Sequence, residues 1–392
     1  MLPCRSIKGH CLNLLWRQKA CISSLQSKNV VIRKSEKLKN KPRLEELVFG
    51  KFFSDHMLVC DYDDNDGGWK APQILPFGDF HLSPAITSLH YAIQCFEGMK
   101  AYRTSENDIR LFRPDKNVQR MQRTADKLTL PAFDGEEFLK LLKQLLQIDS
   151  EWVPHSQEAS LYVRPTFIST DPVIGVKHPS KARLFVITGP VGPYYEQKGT
   201  ELFNSVKLLA DPKFVRAWEG GIGAYKAGGN YAPTIQIQRE ALKRGCQQVL
   251  WLYGEDRQMT EAGTMNFFIY WINSDGEKEL ITAPLDSGLI LPGVTRQSVL
   301  DMTREWDEFK VTERMVTMPE FMEAANSDRI IEVFGCGTAC MIAPIHSILY
   351  EGQDIDVPTM TSGAKLSKKL FENLSAIQTG KVEHPWSVSI YN

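Results

Sequence analysis

Two hydrophobic periods alternate along most of this chain, and that alternation restricts the fold more than any other feature. Runs rich in β-branched and aromatic residues fall at 100–103, 109–113, 161–170, 183–188, 249–253, 265–272, 279–282 and 330–334. Between them apolar residues recur at helical spacing. Val118, Met121, Ala125 and Leu128 follow Asp115, and 138–148 continues the pattern. Further helical stretches end near Arg244, open at Leu291-Pro292-Gly293 and reach about Trp306, and cover 364–378. Interleaving of this kind predicts a mixed α/β class, and 392 residues suffice for about two cores. The clearest breaker is Gly189-Pro190-Val191-Gly192-Pro193. A boundary there divides the chain into a small α/β domain over 45–188, a linker over 189–202 and a larger domain over 203–392. No run approaches the roughly 18 consecutive apolar residues that a membrane helix needs.

Charge is unevenly spread. The 46 Lys+Arg nearly match the 47 Asp+Glu, yet residues 1–44 hold eleven basic residues and one acid, Glu36. The remaining 35 basic and 46 acidic residues give the body a net charge of −11. Such a body lacks the basic surface that nucleic-acid binding needs. The head is basic, acid-poor and contains Ser, with Ile7, Leu12, Leu14, Leu15 and Trp16 near Lys8 and Arg17. This composition predicts a mitochondrial transit peptide with a basic arm over 1–44, and import into the matrix. A plain basic arm is the alternative on composition alone. Of eight cysteines, Cys4, Cys11 and Cys21 lie in that head; Cys60, Cys95, Cys246, Cys336 and Cys340 are odd in number and widely spaced. A disulfide scaffold is not expected. Neither a pair of Cys-x-x-Cys motifs nor His-Glu-x-x-His occurs, so no zinc site is expected.

The densest local signal is 220–231, where five glycines flank Lys226, with Tyr225 and Tyr231 on either side. A Walker loop fails because Ala227 follows Lys226, and a dinucleotide fingerprint fails because Lys226 stands where its third glycine belongs. What remains is a solvated surface lysine or an amine in a crowded apolar pocket. Desolvation in such a pocket lowers the pKa and frees the lone pair for Schiff-base chemistry. Other features accompany it. The turn 291–295 sets Gly293 and Thr295 at a helix start suited to an anion, and 335–339 offers a second such turn, each of which reads alternatively as a plain capped turn. Tyr162 and Arg164, two apart on a strand, share a face that can hold a carboxylate, the alternative being an exposed salt-bridging Arg. Glu261 reads as a buried acid or an ordinary loop charge.

The run Arg216-Ala217-Trp218-Glu219-Gly220-Gly221-Ile222-Gly223-Ala224-Tyr225-Lys226-Ala227-Gly228-Gly229-Asn230-Tyr231 resembles the lysine region of the branched-chain amino acid aminotransferases. Leu89-His90-Tyr91, Gln94-Cys95-Phe96-Glu97-Gly98-Met99-Lys100-Ala101 and Leu161-Tyr162-Val163-Arg164-Pro165 are similar to the same family. So are 245–254, Glu261-x-Gly263-Thr264-Met265-Asn266, Ile290-Leu291-Pro292-Gly293-Val294 and Phe334-Gly335-x-Gly337-Thr338-Ala339. The likeness runs in consistent order from about Leu47 to the C-terminus, and the basic head resembles the mitochondrial form.

That resemblance implies the fold type IV architecture of pyridoxal 5′-phosphate enzymes, like D-amino acid aminotransferase, as a homodimer with the cofactor between a small and a larger domain. Lys226 would carry the Schiff base and move the 1,3-proton. Glu261 would pair with the pyridine nitrogen so that the ring acts as an electron sink, and Tyr231 would bond the 3′ oxygen. Arg120, Val294, Thr295 and Thr338 would hold the phosphate, with Thr264 and Arg216 close by. Phe49, Tyr91, Phe96, Tyr162, Thr264 and the partner's Val176 would line an apolar pocket. Tyr162 with the backbone of Thr338 and Ala339 would hold the α-carboxylate, and Arg164 the distal carboxylate of glutamate. The implied substrates are leucine, isoleucine and valine, with 2-oxoglutarate and L-glutamate as the other pair, in a ping-pong reaction.

One departure stands out. Vertebrate members carry a Cys-x-x-Cys redox pair where this chain has Cys340 and Ala343, so thiol–disulfide regulation by that pair is not expected. The competing readings are a D-amino acid aminotransferase or aminodeoxychorismate lyase of the same superfamily, and a non-catalytic relative. A nicotinamide dehydrogenase is disfavoured by the failed fingerprint. The Tyr162/Arg164 pair argues against the first, and the presence of Lys226, Glu261 and Tyr231 against the second.

Overall fold

The structure, a computed structural model, describes residues 24–192 and 204–392. Two β-sheets, each with its own core, organise these residues. In the first, His56–Asp63, Lys181–Val191, Ser160–Ser169, Met99–Arg103 and Ile109–Phe112 run side by side, each antiparallel to its neighbour. The helix Gly135–Ile148 packs Phe138, Leu141, Leu142 and Leu145, all fully buried, into the core of this sheet. Asp134 caps that helix by accepting from the Glu136 and Glu137 N–H groups.

The second sheet contains Val206–Ala210, Gln248–Tyr253, Gln258–Ala262, Met265–Ile272, Lys278–Thr282, Lys310–Glu313, Ile330–Cys336, Ile342–Tyr350 and Gln353–Asp356. Pairing of Gln258–Ala262 with Met265–Ile272 closes part of it into a ring. Val206–Ala210 runs parallel to both of its neighbours, the arrangement that a crossover helix such as Thr234–Lys243 permits. The mixed α/β expectation is met. The hairpin and helix expectations also hold closely: Met99–Arg103 and Ile109–Phe112 pair, and the helices are Pro114–Lys127, Val294–Trp306 and Lys365–Gln378.

Three details differ from the sequence reading. Gly189, Pro190 and Val191 do not begin a linker; they complete the strand Lys181–Val191 and pair with Tyr162, Leu161 and Ser160. A Cβ on Gly189 would come 2.0 Å from the Phe52 carbonyl oxygen, so glycine marks a close backbone approach there, not a break. The rest of the expected linker, 193–202, lies outside the described residues. The basic arm, from residue 24 onward, is packed onto the first sheet. Leu25 is fully buried, Ser27 bonds to Glu137, and Val31–Ile32 pairs with Gln73–Pro76. Residues 1–23, which carry most of the expected transit segment, lie outside the described residues. Finally, Ser387–Ser389 returns to pair with Ile109–Phe112, so the end of the chain belongs to the first sheet.

Candidate active site

The two sheets meet at Lys226. Its loop is held at the backbone on both sides. Phe96 N–H donates to the Lys226 carbonyl at 3.2 Å, Cys95 and Ala227 form a β-bridge, and Lys226 N–H donates to Thr124 Oγ1 at 3.1 Å. Glycine makes this approach possible, since a Cβ on Gly228 would lie 2.8 Å from Gln94. Lys226 Nζ donates to the Tyr231 hydroxyl at 3.2 Å and lies 4.9 Å from the centre of the Phe96 ring. Burial lowers the amine to about 8; Arg120 and Arg164 push the same way, against Glu97 and Tyr162. Burial also pushes the Tyr231 phenol up to about 12, so it stays protonated at neutral pH.

Glu261, near the end of Gln258–Ala262, is 4% exposed, which resolves the choice between loop charge and buried acid. One carboxylate oxygen lies 2.8 Å from Arg216 Nε; the other accepts from Leu291 N–H at 2.9 Å and Asn266 Nδ2 at 3.3 Å. Burial pushes this carboxyl up, while Arg216 and the Leu291 bond pull it down. Arg216 also donates to the Gly223 and Leu289 carbonyls, clasping the lysine loop against the 288–292 segment.

At the opposite edge, Val294 and Thr295 open the helix Val294–Trp306. No side chain caps that helix and no acid occupies its first turn, so its free N–H groups and dipole favour an anion. Val294, Thr295 and Thr338 border one small recess of about 20 Å³ together with Lys100 and Asn117. Arg120 reaches the same helix start, donating from Nη1 to the Pro292 carbonyl at 3.0 Å, but its Nε and Nη2 are taken by Glu97.

The pocket wall comes from the strand Ser160–Ser169. Arg164 Nη2 donates to the Tyr162 hydroxyl at 3.0 Å, and its guanidinium lies over the rings of Phe96 and Tyr162 at 4.8 and 5.1 Å. The Phe49 ring meets Tyr162 edge-on at 4.9 Å. Thr338 and Ala339 form the turn between Ile330–Cys336 and Ile342–Tyr350, and the Ala339 carbonyl accepts from Lys100 Nζ at 3.0 Å. Thr264 is exposed at the tip of the turn between two strands. Tyr91, 38% exposed, and Val176, 81% exposed, make no hydrogen bond, ion pair or ring contact with this cluster among the described residues.

The donors fit pyridoxal phosphate. They comprise an amine of lowered pKa, a protonated phenol, a buried acid and an uncapped helix start. Arg164 Nε is a buried donor with no hydrogen-bond partner among the described residues, which suits an acceptor such as a carboxylate.

Sequence reasoning missed Glu97, Lys100, Asn117 and Asn266 as members of the site. Glu97 and Lys100 lie inside a run quoted for its likeness, but their partners stand 23 and 239 residues away. Cys340 and Cys336 are both pushed up by burial, Cys340 to about 12, which keeps them as thiols. Ala343 is buried in the strand Ile342–Tyr350.

A partly buried amine of lowered pKa, with a buried acid and an uncapped helix start near it, fits an enzyme of group transfer at a cofactor. Residues 94–348 match the family described as amino-transferase class IV, and the chain belongs to that family. Its relatives narrow the group further. It is 53% identical over 367 residues to the cytosolic branched-chain-amino-acid aminotransferase of Mus musculus, covering 94% of both chains. It is 48% identical over 369 residues to the mitochondrial branched-chain-amino-acid aminotransferase of Bos taurus, covering 94% of this chain and 93% of that one. Among solved structures, a branched-chain amino acid aminotransferase from Thermobaculum terrenum in its PLP form has the same fold. Its TM-score is 0.67 at 19% identity, covering 86% of this chain and 98% of that chain.

Proposed function

We propose that this chain is a branched-chain amino acid transaminase, a homodimer of the mitochondrial matrix. It transfers the amino group of L-leucine, L-isoleucine or L-valine to 2-oxoglutarate, giving the 2-oxo acid and L-glutamate by a ping-pong route. One observation carries the reading: an aromatic wall of Phe49, Phe96 and Tyr162 carries the Arg164 guanidinium, beside the lowered-pKa amine of Lys226. An apolar pocket with one charge at its edge accepts both an aliphatic side chain and a second carboxylate. The mitochondrial and cytosolic relatives are similarly close, so the matrix assignment rests on the basic head.

Pyridoxal 5′-phosphate, when bound, supplies the carbonyl on which amino groups exchange and a ring that takes up electron density. The chain's own residues do the rest. Lys226 moves the proton, since an amine near neutrality serves as acid and base alike. Glu261 holds a proton at the ring nitrogen, braced by Arg216. Tyr231 bonds the ring oxygen. The first N–H groups of the 294–306 helix, Thr338 and the free edge of Arg120 hold the phosphate, with Thr264 nearby. Tyr162 and the 338–339 backbone orient the α-carboxylate, and Arg164 holds the distal one. Tyr91, and Val176 of the partner subunit, complete the apolar wall, which accounts for two apolar groups that stand exposed in a single chain.

The test is transamination of 2-oxoglutarate with L- and D-leucine in parallel. Activity with the L-isomer supports the reading, and activity confined to the D-isomer overturns it in favour of the related D-amino acid enzymes. Sedimentation at micromolar concentration should give twice the chain mass. Removing residues 1–23 should strand the protein in the cytosol, and matrix import without them would remove the localisation.

A further inference from the structure

We infer that Glu97 is a positioning residue of this site, which sets the direction of Arg120 and so aims the guanidinium at the phosphate of the cofactor. The inference rests on the pyridoxal-phosphate reading above. Glu97 is fully buried at the corner between the strands Gln94–Phe96 and Met99–Arg103. A carboxylate in such a place must have its lone pairs filled, and four donors fill them. Arg120 Nε and Nη2 lie at 2.7 and 2.8 Å, Asn117 Nδ2 at 2.8 Å and Gly98 N–H at 3.2 Å. Asn117 and Arg120, three apart, share one face of the helix Pro114–Lys127. The same Asn117 amide also donates to the Gly98 carbonyl at 3.2 Å, so the corner and the helix are fastened twice.

A planar guanidinium gripped by one carboxylate along its Nε–Nη2 edge has no rotational freedom left. Nη1 is spent on the Pro292 carbonyl, two residues before Val294. Arg120 thus keeps one hydrogen on each Nη atom that neither Glu97 nor Pro292 takes, with Nη1 held two residues from the uncapped helix start. Glu97 has a second consequence through charge. Lys226 is faced by Arg120, Arg164, Tyr162, Glu97, the more distant Glu261 and the Tyr231 hydroxyl, and Glu97 supplies the larger negative charge set against the two guanidiniums. A residue that merely filled space would affect neither the cofactor's grip nor the proton balance at Lys226.

The experiment uses full-length wild type, Glu97→Asp and Glu97→Gln, stripped of cofactor and titrated with pyridoxal 5′-phosphate by equilibrium dialysis. The visible band of each reconstituted protein is then followed against pH. The shorter acid keeps the charge and loses the two-point grip; the amide loses both. Both variants should bind the cofactor about 10- to 100-fold more weakly, the range outer partners command at ligand sites. The pH midpoint of the band should fall in Glu97→Gln and stay in place in Glu97→Asp. Wild-type affinity in either variant overturns the inference, as does weaker binding with an unmoved midpoint in Glu97→Gln, which is the mark of a structural role. If Glu97→Gln fails to fold, Glu97→Asp decides alone: weaker cofactor binding in a protein whose cofactor-free urea midpoint matches the wild type supports the inference, and wild-type affinity, or a loss of affinity that comes with a lowered urea midpoint, overturns it. Failure of the wild type itself to take up the cofactor overturns the functional reading and this inference together, and is told apart by that control.

Discussion

Arg164 donates from Nη2 to the Tyr162 hydroxyl at 3.0 Å, while its own Nε, buried beside the aromatic wall, has no hydrogen-bond partner among the described residues. Under the proposed function that N–H donates to the second carboxylate of glutamate. Arg164→Met should therefore weaken kcat/KM for glutamate and 2-oxoglutarate by roughly 10- to 150-fold, the worth of a hydrogen bond to a charged group. Leucine, whose side chain carries no charge, should lose far less. Separate kinetics for the two half-reactions measure the difference, and equal losses for both substrates would remove Arg164 from the specificity role.

Glu261 carries the electrostatics of the other end. Glu261→Gln keeps the hydrogen-bonding shape but leaves the buried Arg216 charge without its acid. The chemical step should slow by roughly 10²- to 10³-fold, the usual cost of removing a preorganised electrostatic group. Cofactor content should remain near stoichiometric. Stopped-flow conversion with excess leucine reads the step, and a rate within a factor of three of wild type would exclude the ring-nitrogen role.

The amine at Lys226 sets a pH dependence whose sign is fixed. Burial lowers its pKa from the ordinary 10.5 to about 8, so the protonated form is the one disfavoured in the folded protein. At pH 8 about half of the amine is free base, against roughly 0.3% for an ordinary lysine. Recapture of pyridoxal phosphate by the cofactor-free enzyme should accelerate as pH rises through about 8 and level off above it. A rate still climbing beyond pH 10 would show an unperturbed lysine.

Gly98 is fixed by a neighbour, not by its own backbone. A Cβ placed there would stand 2.1 Å from the Tyr162 hydroxyl and 2.9 Å from its ring carbon. Gly98→Ala must push the phenol aside and break its bond with Arg164. We expect a stability loss of about 1–3 kcal/mol, with kcat/KM falling by up to about 10²-fold from the displaced group. Urea denaturation and initial rates with leucine separate the two effects; unchanged kinetics would mean that the phenol does not orient substrate.

Much of this was legible in the sequence wherever the signal was local. The Pro114–Lys127 and Val294–Trp306 helices announce themselves by spacing and by Pro or Gly at their starts, and the 99–112 hairpin by its turn. The crowded glycines around Lys226 mark a close approach that the structure explains through Gln94 and Phe96. What stayed hidden depends on partners distant in the chain. Glu97 is silent until Arg120 is folded against it. Lys100 means nothing until the 338–340 turn arrives from the second sheet. Gly189 reads as a breaker because glycine and proline punctuate loops, whereas here strand pairing with Ser160–Ser169 overrides the local signal. Residues 24–44 look like a detached arm by charge, yet Leu25 alone shows that an apolar anchor can tie a basic segment to a core.

The central claim is that Lys226 is the amine on which the cofactor is carried and the group that moves the proton. The absorption spectrum of the purified protein, before and after L-leucine, beside that of Lys226→Ala, tests it most directly. The wild type should show a visible band that leucine shifts toward the pyridoxamine form, with no such conversion in the variant. A band that ignores L-leucine, or a Lys226→Ala protein that converts as the wild type does, would contradict it.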